Sequence, residues 1–96
     1  MGEKTQTPVV TQQTFDITPN ILTKLGTITE AATITLNAGT AGVVNIYDFI
    51  FSTGATAPTI TWPNGITWLG GSAPTINANK TYEVSISEGL AVAAEF

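Results

Sequence analysis

From Ile21 onward the chain alternates apolar and polar positions with a period of two. Ile28, Ile34 and Leu36 are separated by threonines and other small or polar residues, and Tyr47, Phe49 and Phe51 share one parity while Ile46, Asp48 and Ile50 take the other. The same rhythm returns in Ile60 and Trp62, in Ile66 and Trp68, in Tyr82, Val84 and Ile86, and in Leu90, Val92, Ala94 and Phe96. Successive side chains of an extended strand point to opposite faces, so each run predicts a strand with one face toward a core. The β-branched and aromatic residues filling these runs suit a pleated, half-buried surface.

Turn residues punctuate the runs at Asn37-Ala38-Gly39, Ser52-Thr53-Gly54, Pro63-Asn64-Gly65, Gly70-Gly71-Ser72 and Ser87-Glu88-Gly89. Each offers a glycine for positive φ or a proline for fixed φ. About seven strand-length segments result, and no segment has helical periodicity, which predicts an all-β fold: a small antiparallel β-sandwich or barrel-like domain. In the last hairpin Tyr82 to Ser87 and Leu90 to Phe96 flank a short turn, and Tyr82, Val84 and Ile86 are expected to meet Val92 and Ala94.

Residues 1–20 read differently. They are rich in Thr and Gln, contain Pro8 and Pro19, and offer Val9, Val10, Phe15 and Ile17 as their large apolar side chains. This predicts an extended N-terminal arm over 1–20 ahead of a single β domain over 21–96, with those four residues as candidate partner contacts.

The 96 residues suffice for one core, which in a chain of this size hides roughly 60 to 68% of the unfolded surface. Charged residues are only 10% of the chain, against about 25% in an ordinary soluble domain. A surface of Thr, Ser, Asn, Gln and Gly leaves few charges to desolvate when two proteins meet, and so favours assembly. Net charge is -4 and the only cations are Lys4, Lys24 and Lys80, too few and too scattered to neutralise a run of phosphates; nucleic acid is not an expected partner. Without a signal peptide or an apolar run of membrane-spanning length, synthesis in a cytoplasm and no membrane contact are expected.

Histidine, cysteine and arginine are absent, which removes the usual general base, the soft metal ligands and the guanidinium oxyanion clamp. The seven carboxylates are dispersed, whereas a glycosidase needs two facing each other across a cleft. No calcium-loop pattern occurs, and Gly70-Gly71-Ser72 lacks the lysine and helix of a phosphate loop. The expectation is a protein that is not an enzyme and uses no cofactor or metal. Asp48, between Tyr47 and Phe49, reads as an outward or edge-strand charge, or else as the partner of a group such as Lys80 or of an interface. Trp62 and Trp68 bracket a turn and, with Tyr47, form a candidate stacking surface for sugar rings; packing of both indoles into the core beside Ile60 and Ile66 is the competing reading.

Three segments carry a resemblance: Tyr47-Asp48-Phe49-Ile50-Phe51-Ser52-Thr53-Gly54, then Pro58-Thr59-Ile60-Thr61-Trp62-Pro63 with Ile66-Thr67-Trp68 and Pro74, then Lys80-Thr81-Tyr82-Glu83-Val84-Ser85-Ile86-Ser87-Glu88-Gly89. In this order they resemble a β-domain that recurs in bacteriophage head-fibre, capsid-decoration and tail-fibre proteins. The resemblance implies a virion structural protein, made in the host bacterial cytoplasm, that decorates the capsid or forms a head-fibre base by binding capsid or other virion proteins. It also suggests a homo-oligomer, with a trimer as the working guess. The alternative is a tail-fibre module that binds a carbohydrate or receptor through Trp62, Trp68 and Tyr47.

Overall fold

A computed structural model describes residues 13–96. They form eight strands and no helix: β1 (Gln13–Ile17), β2 (Leu22–Ile28), β3 (Ala32–Leu36), β4 (Ile46–Thr53), β5 (Ile60–Thr61), β6 (Thr67–Trp68), β7 (Thr81–Ser87) and β8 (Leu90–Glu95). The strands make a three-stranded sheet in the order β1-β3-β5 and a five-stranded sheet in the order β2-β4-β7-β8-β6.

The first six strands alternate between the two sheets, and this governs strand direction. Residues 18–21 join β1 to β2 and residues 29–31 join β2 to β3; each short link turns a corner into the opposite sheet rather than reversing within its own. The next strand of the same sheet therefore arrives parallel. Four of the six pairings among the described residues are parallel, namely β1 with β3, β3 with β5, β2 with β4 and β6 with β8. Only β4 with β7 and β7 with β8 are antiparallel, so the expected antiparallel sandwich is corrected to a mixed one. A parallel pair needs a crossover of about a dozen residues or more; a strand of the facing sheet lies within it for β1 with β3, β2 with β4 and β3 with β5, whereas for β6 with β8 it contains β7 of their own sheet.

Asn20 builds the first corner. Its φ of 68° lies in the left-handed region that asparagine tolerates better than most residues. Its amide donates to the Ile46 carbonyl at 2.7 Å, and the Ile46 amide donates back to Asn20 Oδ1 at 3.0 Å. The corner is thereby tied to the start of β4, one winding later.

One core lies between the sheets. Ile17, Ala32 and Ile34 enter it from the three-stranded side, and Ile28, Phe49, Phe51, Tyr82, Val84, Ile86 and Ala91 from the five-stranded side. Phe51 stacks on Tyr82 at 5.3 Å, and the Trp62 ring stands 6.5 Å from both Phe49 and Phe51. A bulge at Leu25 lets Leu25 and Ile28 both face inward although they are three positions apart. The extra residue resets the parity of β2, and Gly26 at φ 76° supplies the backbone conformation.

Strand β1 revises the expected arm. Ile17 is fully buried and Phe15 packs against the core, so the β body already includes residues 13–17. The remainder of the arm, with Val9 and Val10, lies outside the described residues.

The final hairpin also differs from expectation. Glu88 and Gly89 both have positive φ, 53° and 78°, as a two-residue type I′ turn requires. The turn sets Ser87 opposite Leu90, hence Ile86 opposite Ala91, Val84 opposite Ala93 and Tyr82 opposite Glu95. Ala91 and Ala93 therefore share the inner face with the large residues of β7, while Val92 and Ala94 point outward.

At the far end of this hairpin the buried Tyr82 hydroxyl donates to Glu95 Oε2 at 2.5 Å and accepts from the Asn77 amide at 2.7 Å. The Asn77 side chain donates to the same carboxylate at 2.8 Å. Burial, assisted by the adjacent carboxylate, raises the Tyr82 pKa, and the hydrogen bonds from Tyr82 and Asn77 lower that of Glu95. A depressed folded pKa makes the Glu95 contribution complete above its unfolded value and lost as pH falls through the folded value. Urea unfolding of Glu95→Gln across the acid range is expected to show a shallower decline of stability than wild type. An acid limb identical to wild type would remove Glu95 from this role.

Candidate docking surface

The ladder registers arrange the outward side chains of the five-stranded sheet in rows, the last of them Thr27, Ser52 and Thr81 with Phe96 beside it. One row across it reads Leu22, Asp48, Ser85 and Val92, and the next reads Lys24, Ile50, Glu83 and Ala94. On the side of the strand ends a third row holds Ile46, Ser87, Leu90 and Thr67. The β8 strand thus lays Leu90, Val92 and Ala94 outward in a stripe that Phe96, bonded to Thr81 through both backbone groups, continues. Leu69, whose amide reaches the Ala91 carbonyl at 3.0 Å, carries the β6 alternation forward beside this stripe.

These side chains are open to solvent. Leu69 and Phe96 are each 64% exposed, and Leu90 and Val92 each 49%. Contiguous apolar area of this kind is uncommon on a protein that meets only water. The outer face of the three-stranded sheet is the opposite in character: Thr14, Thr33 and Thr61 align in one row, and Asp16 stands opposite Thr35, with which it is hydrogen-bonded. One broad face carries exposed apolar side chains among a few charges and hydroxyls, and the other is hydroxylic.

Two hollows dent the apolar face. One of about 210 Å³ lies among Lys24, Gly26, Ile50, Ser52 and Thr81, where the bulge and the missing glycine side chain leave space. Another of about 170 Å³ lies among Glu83, Ser85, Val92 and Ala94. Both sit on a hydrogen-bonded sheet, so an incoming side chain meets a preformed depression.

At the end of the face where β2 and β4 begin, Ile21, Val43 and Val44 are also exposed. The link over 37–45 that presents the valines is fixed by Asn45. Its Oδ1 accepts from the Thr40 amide and from Asn20 Nδ2, both at 3.1 Å, and its Nδ2 donates to the Thr40 and Val43 carbonyls at 2.9 and 3.2 Å.

The residues singled out from sequence fall as follows. Asp48 faces outward, half-buried, on β4, which lies between β2 and β7 and is not an edge strand. Trp62 and Trp68 are half-buried against the core and meet edge to face at 5.0 Å and 77°, so the indoles share no flat platform. Tyr47 packs against the core with its hydroxyl donating to the Asn37 carbonyl at 2.6 Å. Trp68 borders a groove of about 290 Å³ with Gly70, Ser72, Pro74 and Val92, which adjoins the apolar face through Val92. Phe15 and Ile17 are structural members of β1. Among the described residues no three of His, Cys, Asp and Glu come together as a metal site.

The outward β8 stripe corrects the expectation from alternation that Val92 and Ala94 face the core. The two-residue turn carried the necessary signal, since it fixes which positions lie opposite each other. The chain matches no family model, no curated protein and no solved structure.

Proposed function

We propose that this chain is a bacteriophage virion structural protein that decorates the capsid or forms a head-fibre base through protein contacts. The observation that carries this reading is the concentration of exposed apolar side chains on the outer face of the five-stranded sheet, opposite a threonine-covered face. A two-faced slab of this kind suits a module that lies on a larger surface and shows water its other side. The resemblance of residues 47–89 to phage structural β-domains favours a virion as that larger surface. Low charge keeps the desolvation penalty of each contact small, and repetition over a particle makes modest single contacts sufficient.

The test uses purified capsids of the phage that encodes the chain. Added protein is expected to co-sediment with them, and quantitative mass spectrometry of whole particles to find it at copy numbers comparable with the major capsid subunit. A handful of copies per particle would point to the tail, and absence from the particle would end the reading.

A further inference from the structure

We propose that the outer face of the five-stranded sheet takes a heterologous protein surface that is apolar and carries a lysine or arginine aimed at Asp48 and Glu83, and does not take a second copy of this chain. The capsid reading above supplies the partner on which this is tested.

Asp48 sits between Leu22 and Ser85 in its row, and Glu83 between Ile50 and Ala94 in the next. The only other charge in these rows is Lys24, at the β2 edge opposite Ile50. Any surface that covers Leu22, Ile50, Leu90 and Val92 must also cover the two carboxylates, and a covered carboxylate without a cation is strongly unfavourable. A second copy brings the same excess of negative charge. Two such faces together would enclose four carboxylates against two lysines, and the whole chain, at net -4, repels its own kind. Of the remaining cations, Lys80 precedes β7 and Lys4 lies outside the described residues, so the β body has no second basic group to place here.

A partner with apolar side chains for the two hollows and a basic group between them satisfies every element of the face. The hollow beside Glu83 and Val92 adjoins the negative charge, and the one at Gly26 and Ile50 lies next to Lys24. Because backbone ladders on both sides hold β4, β7 and β8 in register, little ordering is needed on this side of the contact.

The experiment measures binding of labelled protein to purified capsids over a range of salt concentration. Wild-type binding is expected to weaken as salt rises. The variant Asp48→Asn with Glu83→Gln keeps the shape of both side chains; it is expected to bind about tenfold less tightly and with a flatter salt dependence. Val92→Asp is expected to weaken binding as well, Thr61→Gln on the opposite face to leave it unchanged, and all variants to unfold cooperatively. Wild-type affinity and salt slope retained in the double variant would overturn the proposal while leaving the capsid reading intact. Self-association of the free protein that Val92→Asp abolishes would overturn it in favour of a second copy. A wild-type protein that binds no capsid would overturn the capsid reading, and this proposal with it.

Discussion

Phe49→Ala is expected to remove about 3–5 kcal/mol of stability, a large share of the roughly 5–15 kcal/mol that holds a small domain together. Phe49 is completely buried on β4, which has β2 on one side and β7 on the other. Its ring lies 6.4 Å from Phe51 and 6.5 Å from Trp62, and rigid ladders on both sides of β4 limit collapse into the vacated space. Urea unfolding followed by tryptophan fluorescence measures the loss, and Trp62 reports on the site directly. A loss under about 1 kcal/mol would mean that the core does not close around this ring as described.

The second large effect is expected at an exposed glycine. Gly39 does not need positive φ; it needs the absence of a side chain, because a Cβ there would overlap the Asn45 carboxamide. Gly39→Ala should displace that group and release its four hydrogen bonds, destabilising the protein by about 2 kcal/mol. The mechanism predicts strong coupling: in an Asn45→Ala background the same substitution should do almost nothing. Additive losses in the double variant would show that Gly39 acts through something other than Asn45.

The strands themselves were legible because alternation is a local property of the chain, and β4 and β7 show it plainly from Ile46 to Thr53 and from Thr81 to Ser87. The pairing was not. Whether residues 18–21 reverse the chain or carry it across to a facing sheet depends on what Asn20 bonds to, and that partner, Ile46, lies 26 positions away. Strand β1 was hidden for another reason: Phe15 and Ile17 do alternate with Thr14 and Asp16, but the Thr- and Gln-rich run before them and Pro19 after them obscure so short a segment.

The candidate surface lay between these cases. The parity of Val92 and Ala94 follows from the Glu88-Gly89 turn by counting, whereas their proximity to Ile50 and Leu22 follows only once β2 and β4 are known to pair in parallel. Asp48 stands out in the sequence as a charge in an apolar run. Its neighbour Glu83 had no such signal, because alternation with Tyr82 and Val84 makes it look like any solvent-facing position.

The winding between sheets has a consequence for how the protein comes off the ribosome. β1 has to wait for β3, and β2 for β4. The antiparallel β4–β7 ladder, which joins both halves of the chain, cannot begin until Thr81 to Ser87 have emerged. Parallel, non-local contacts reward the chain late, after most loop-closure entropy has been lost. Vectorial synthesis thus leaves the five-stranded sheet incomplete until the closing hairpin is made. In a chain built this way the hairpin, local and quick to form, brings the two antiparallel ladders that join β4 to β7 and β7 to β8.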